Sequence, residues 1–259
     1  MNQIHISIAA EPITRLHLFG FSLVMTNSMI SFTLICIFLC VGGIILGSQI
    51  KSSGKLSKAQ IFVEMLYQTI EDIASDNLGS KSKARPYIGL LLTLTLVIAV
   101  GSWFGLIPGV MDVVSKTGVE EYPLFRAPTT DINFTAALSV IAWTVIQAAG
   151  MSALGVFGYI GKFLNFRSGP MNAVVGLLEL ISEFSRLISF SFRLFGNIFA
   201  GEVLIIVLVA LTRLEDSFIG IPVPVLVILL ETFVAMIQAY VFVSLMSVFI
   251  STAVEPAHH

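Results

Sequence analysis

Charged side chains are scarce in this chain of 259 residues: Asp, Glu, Lys and Arg together make up 12%, against 56% hydrophobic residues. A soluble domain carries about 25% charged residues, so a water-filled exterior is excluded for most of this surface. Mean hydropathy is +0.94. The net charge of -2 offers no basic field for nucleic acid. Cysteine is limited to Cys36 and Cys40, four apart in an apolar run. They read as small hydrophobes, because a disulfide or metal framework needs further ligands and an aqueous setting. Histidine occurs only as His5, His17, His258 and His259, with neither H-E-x-x-H nor H-x-x-x-H spacing, so no metal site and no intramembrane protease centre is expected. No G-x-x-x-x-G-K-[ST] loop occurs, so no nucleotide should bind directly to this chain, and no cofactor is implied. Residues 1–20 hold His5, Glu11, Arg15 and His17 without a basic stretch leading into an apolar core, and do not read as a signal peptide.

Long apolar runs are what the sequence does have. About 20 apolar residues cross a bilayer core of roughly 30 Å. Five regions qualify: 27–49, 87–107, 131–161, 171–213 and 222–252. Pro108 and Gly109 should stop the second, and Pro222 and Pro224 open the last. The expectation is an all-α polytopic membrane protein, a single membrane domain over 1–259 with an outer arm 1–26 and an outer loop 108–130. Segment 57–77 is different in kind. Ile61, Phe62, Met65, Leu66, Ile70 and Ile73 recur at helical spacing while Glu64, Glu71, Asp72 and Asp76 fill other faces. It predicts an amphipathic helix at the inner surface or against a partner, with a solvated linker helix as the plainer alternative.

Lys and Arg set the orientation. Lys51, Lys55, Lys58, Lys81, Lys83, Arg85, Lys162 and Arg167 fall in the loops of one side, eight against the four of the other, Arg15, Lys116, Arg126 and Arg213. The positive-inside rule then puts the N-terminus outside and the C-terminus in the cytoplasm.

Region 171–213 is too long for a perpendicular crossing: a straight helix of that length measures roughly 64 Å. It contains no proline. Glu179, Glu183, Arg186, Arg193 and Asn197 fall in one stripe about 80° wide at 100° per residue. One steeply tilted helix with a polar face accounts for that more simply than two helices. Glu202, nine residues past Arg193, points to the opposite side. Small residues accompany the stripe: Ser182, Ser185, Ser189, Ser191, Gly196, Ala200 and Gly201. They permit close helix approach in lipid. Glu183 and Arg186 stand at i,i+3 and read as a structural ion pair. Arg193 has no acidic residue three or four positions away. A charge at the centre of a bilayer costs about 2.5–3.5 kcal/mol on insertion scales. Its counter-charge must come from elsewhere, and Gln238 on the last helix can offer only a neutral hydrogen bond. Asp131 and Asn133 open the third helix, either as an N-terminal cap or as the polar lining of an outer vestibule.

At this point the residues match a family. SFSFRLFGNIFAGE at 189–202, with Glu179 upstream and IQAYVF at 237–242 downstream, resembles subunit a of F-type ATP synthases, in its bacterial and chloroplast-like forms. TNSM at 26–29, FGLIPG at 104–109 and APTTDIN at 127–133 agree in order. The resemblance covers nearly the whole chain, and RLFGN is its most specific element. Ser102 departs from the pattern, which has asparagine before the GLIP turn. The resemblance implies that Arg193 is the stator arginine facing a ring of c subunits, with Asn197 and Gln238 as polar neighbours and Glu179, Glu202 and Glu231 linked to proton access. It implies four transmembrane regions and a surface helix, the last two long regions forming a tilted hairpin along the rotor. It implies as partners the c-subunit ring, the subunit b peripheral stalk, the remainder of the F1F0 complex and the lipid bilayer. The expected location is a bacterial inner membrane, or alternatively an organellar energy-transducing membrane. Two other classes remain in view, a secondary ion transporter and a structural membrane scaffold. The first would usually show inverted repeats and broken helices, and the second needs no unpaired central arginine.

Overall fold

The computed structural model describes residues 12–18, 21–50, 57–107, 110, 114–117, 120–163, 170–214 and 222–255. Pro108, Gly109, Lys51, Lys55, Arg167, His5, His258 and His259 lie outside the described residues. Among the described residues seven helices carry the architecture: α1 (Asn27–Ser48), α2 (Lys58–Leu78), α3 (Lys81–Leu106), α4 (Ile132–Leu154), α5 (Val156–Phe163), α6 (Pro170–Leu214) and α7 (Pro222–Val254). α1, α3, α4, α6 and α7 are each long and apolar enough to cross a membrane. The protein is an all-α polytopic membrane protein.

Two short antiparallel hairpins sit at one end, β1 (Pro12–Leu18) with β2 (Phe21–Thr26), and β3 (Val114–Thr117) with β4 (Glu120–Pro123). Periodicity had marked these stretches only as arm and loop. A 3-10 turn, Pro128–Thr130, leads into α4.

α7 is the hub. It packs on α2, α3, α4 and α6, while α1 touches the bundle through α3 and the 3-10 turn. Ala239, Phe242, Val243, Met246 and Ile250 of α7 form one buried stripe. It meets Ile88, Leu91 and Ile98 of α3, Ala142 and Ile146 of α4, and Leu194 of α6. Lipid is as apolar as leucine, so packing and interhelical hydrogen bonds must hold such a bundle, the latter averaging about 0.6 kcal/mol. Asn77 Nδ2 on α2 donates to Ser247 Oγ on α7 at 2.7 Å. Trp103 Nε1 on α3 donates to the Thr232 carbonyl at 3.2 Å.

α2 divides its apolar residues. Ile70, Ala74 and Leu78 are buried against the bundle, whereas Ile61, Phe62 and Met65 are exposed. The third apolar region breaks inside its expected span. α4 ends at Leu154, and Gly155 at φ +73° turns the chain into α5. That left-handed conformation suits glycine because a Cβ is absent. The turn folds Tyr159 back to donate its hydroxyl to Gln147 Oε1 on α4 at 2.6 Å. Region 171–213 falls within one unbroken helix of 45 residues.

Candidate functional site

The middle of α6 carries the polar residues on two of its faces. On one face Arg193 lines an open groove of about 420 Å³ with Ser182, Ser185, Arg186, Ser189, Phe190 and Phe249. Ser182 and Ser185 donate to the carbonyls of Leu178 and Ile181, each at 2.9 Å. Their hydroxyl protons are therefore committed to the helix, and their lone pairs remain available to water in the groove. Arg193 donates to Ser189 Oγ at 3.1 Å. Among the described residues no carboxylate lies within ion-pair distance of Arg193. The expected close-approach role of the small residues holds only in part. Ser182, Ser185 and Ser189 face the groove, and nothing stands within 4 Å of a Cβ placed on Gly196.

One turn beyond Arg193, Asn197 Nδ2 donates to Gln238 Oε1 at 2.8 Å and ties α6 to α7. Gln238 is buried, and its Nε2 donor has no partner among the described residues. In lipid an unmet donor is costly, so an acceptor belongs near it.

The other face of α6 meets a small cavity of about 50 Å³, lined among others by Ser102, Ala127, Thr130, Ile198, Glu202 and Glu231. That is room for a few waters beside two carboxyl groups. Glu202 Oε2 stands 3.7 Å from Arg126 Nη2. Arg126 is itself buried, donates from Nε to Thr130 Oγ1 at 3.0 Å, and donates its backbone N–H to Ser31 Oγ at 3.1 Å. Glu231 is buried where α7 crosses Gly201 of α6. The serine at position 102 donates to the Ile98 carbonyl at 2.8 Å and lies 3.2 Å from Thr129 Oγ1.

Of the remaining residues singled out in the sequence, Arg186 lines the groove, whereas Asp131, Asn133, Glu179 and Glu183 line neither cavity. Asp131 caps α4: Oδ1 accepts the Asn133 N–H at 2.9 Å and Asn133 Nδ2 at 3.2 Å, and Oδ2 accepts Ser28 Oγ at 2.5 Å. TNSM and APTTDIN thus meet through one carboxylate, with Asn27 and Ser28 both buried. Asn133 is exposed at the helix start. Glu179 is at the opposite end of the bundle, close enough to Tyr159 to act on it electrostatically. Glu183 and Arg186 form the ion pair that their spacing predicts.

Arg126 was the residue the sequence undervalued. It counted as one loop charge, although it directly precedes APTTDIN. Only the fold sets it against Glu202.

These features define an integral membrane protein with ionisable side chains inside its helix bundle: an arginine without a carboxylate partner among the described residues on one side of an Asn–Gln link, and two carboxyl groups on the other. The description ATP synthase A chain belongs to the family model matched by residues 28–251. ATP synthase subunit a of Desulfotalea psychrophila is 38% identical over 204 residues, 78% of this chain and 74% of that protein. The subunits a of Campylobacter jejuni and Campylobacter curvus are 32% and 30% identical, over 75% and 77% of this chain and 77% and 79% of theirs. This chain belongs to the ATP synthase A chain family. The resemblance read from SFSFRLFGNIFAGE and APTTDIN is thereby confirmed.

Proposed function

We propose that this chain is the stator subunit of the proton channel in the F0 sector of an ATP synthase, non-catalytic itself, and that it couples proton flow to rotation of a c-subunit ring. The observation that carries this reading is the position of Arg193, open to a groove and without a carboxylate partner among the described residues. Its counter-charge is then a mobile carboxylate on the passing ring. Neutral, such a group tolerates lipid; ionised, it does not. Two unit charges 4 Å apart gain about 4 kcal/mol at an effective dielectric near 20, so the ionised form is favoured beside Arg193.

The groove at Arg193 is the inner half-channel, with Glu179 toward its cytoplasmic end. The cavity with Glu202 and Glu231 belongs to the outer half-channel, and Asp131 with Asn133 borders the entrance of that half-channel. Asn197 and Gln238 stand between the two, and Gln238 Nε2 offers the arriving carboxylate a neutral donor. Arg193 separates the half-channels and blocks a direct leak. Each proton draws about 2.3 kcal/mol per 100 mV, so several must pass for each nucleotide made elsewhere in the complex. The Lys and Arg bias orients the N-terminus outward and the C-terminus inward, in a bacterial inner membrane, beside subunit b and the rest of F1F0.

The test is ATP-driven acidification of inverted vesicles that hold the complex with Arg193→Ala. Pumping is expected to be lost while the complex stays assembled. Normal coupled pumping would make Arg193 structural and end this reading.

A further inference from the structure

A second polar cluster lies behind the Arg193 groove, and the mechanism above does not use it. Glu183 of α6 is buried. Its Oε1 pairs with Arg186 Nη1, and its Oε2 accepts Gln147 Nε2 of α4 at 2.8 Å. Gln147 Oε1 in turn accepts the Tyr159 hydroxyl of α5 at 2.6 Å. The Arg186 guanidinium lies 4.7 Å from the centre of the Phe249 ring on α7. Arg186 is also part of the groove wall.

The direction of this chain follows from its first donor. Burial pushes the Tyr159 phenol up to about 12, with Glu183 and Glu179 adding to the rise and Arg186 opposing it. The phenol therefore stays a donor at any physiological pH. A carboxamide has one acceptor end and one donor end. Once Tyr159 occupies Oε1, Gln147 can present only N–H to Glu183. Glu183 is then held as an acceptor, with its other oxygen on Arg186.

The charge balance explains why that matters. Arg186 and Arg193 are seven residues apart on one helix, about 10.5 Å along the axis and on nearly one face. Without a carboxylate, Arg186 would be a second bare cation in the same groove and would compete for any anion that Arg193 attracts.

We propose that Glu183, positioned by Gln147 and Tyr159, neutralises Arg186 so that a passing carboxylate meets its net positive charge at Arg193 alone. Gln147, Tyr159 and Glu183 are then positioning residues for ion transfer. This inference rests on the groove being a half-channel.

The experiment uses the whole complex in inverted vesicles, with assembly checked by copurification. Glu183→Gln is expected to slow ATP-driven acidification about tenfold, the order set by losing one charge-assisted hydrogen bond. Adding Arg186→Gln removes the bare cation and is expected to bring the rate back to within about threefold of the parent. Tyr159→Phe is expected to slow pumping less, and Arg186→Gln should rescue it as well. Pumping is normalised to assembled complex: in a merely structural role the loss and the rescue appear in copurification, because removing both partners of a buried pair relieves the uncompensated charge, and the rate per assembled complex stays at the parent's value. Unchanged pumping in Glu183→Gln, or a double variant as slow as that single variant, overturns the proposal. If Glu183→Gln prevents assembly, Tyr159→Phe with and without Arg186→Gln decides by the same criterion. Arg193→Ala in the same vesicles separates the two readings. If Arg193→Ala abolishes pumping and rescue fails, only this inference falls; if Arg193→Ala pumps normally, both fall.

Discussion

Gly201 of α6 and Glu231 of α7 share one place: a β-carbon on Gly201 would land on the Glu231 carboxyl group. The glycine lets the carboxyl group lie against the backbone of α6, at the wall of the cavity that also holds Glu202. Gly201→Ala is therefore expected to push Glu231 out of that position. Overpacking of this kind costs about 1–3 kcal/mol. ATP-driven pumping should fall, and Glu231→Ala in the same chain should restore assembly without restoring flux. Parental pumping by Gly201→Ala would show that Glu231 does not act from that position.

The Asn197–Gln238 bond predicts a split between stability and function. Gln238→Leu removes one interhelical bond, a loss of about 0.6 kcal/mol, which by itself is roughly a threefold effect. The unpaired Nε2 of Gln238 has no part in that bond. The pumping rate of the assembled complex should drop by clearly more than threefold. A drop no larger than the stability change would make Gln238 a brace between helices and nothing more.

The cap at Asp131 is open to a different test. Asp131→Ala removes the acceptor for Ser28 and Asn133 and should cost about 1–2 kcal/mol, read as a lower melting temperature of the purified complex. Asp131→Asn keeps a capping oxygen and should melt close to the parent. At equal stability, any pumping deficit in Asp131→Asn measures the charge at the outer entrance. An unchanged melting temperature in Asp131→Ala would refute the capping role.

Arg126 and Glu202 should behave as a unit. Glu202→Leu removes the carboxylate from a buried ion pair, and removing one partner of such a pair costs about 3–5 kcal/mol. The variant complex should assemble poorly, and Arg126→Leu together with Glu202→Leu should assemble better while remaining inactive in proton flux. Unchanged flux in Glu202→Leu would take that residue out of the relay.

The local codes in this chain were legible because each lies within one helix. The apolar run lengths, the i,i+3 spacing of Glu183 and Arg186, and the absence of proline from 171 to 213 all report on a single element. The opposed directions of Arg193 and Glu202 also follow from 100° per residue, and they emerge as two separate cavities. Other features were not legible. Gly155 sits in an apolar stretch whose composition is equally compatible with a continuing helix, and only the packing of Tyr159 on α4 explains the turn. The two hairpins are built from strands of four to seven residues, too short for the window in which a membrane span is read.

The sequence by itself determined a polytopic helical membrane protein, its family and the arginine at its centre. Those depend on backbone hydrogen bonding in lipid and on short motifs read along one chain. The tertiary structure decided the partners: Arg126 for Glu202, Gln238 for Asn197, Gln147 for Glu183, Ser28 for Asp131. Each of these joins residues on separate elements, and several side chains in the chain could satisfy the same polar atom. Only the helix crossings set by close packing select which one lies within 4 Å.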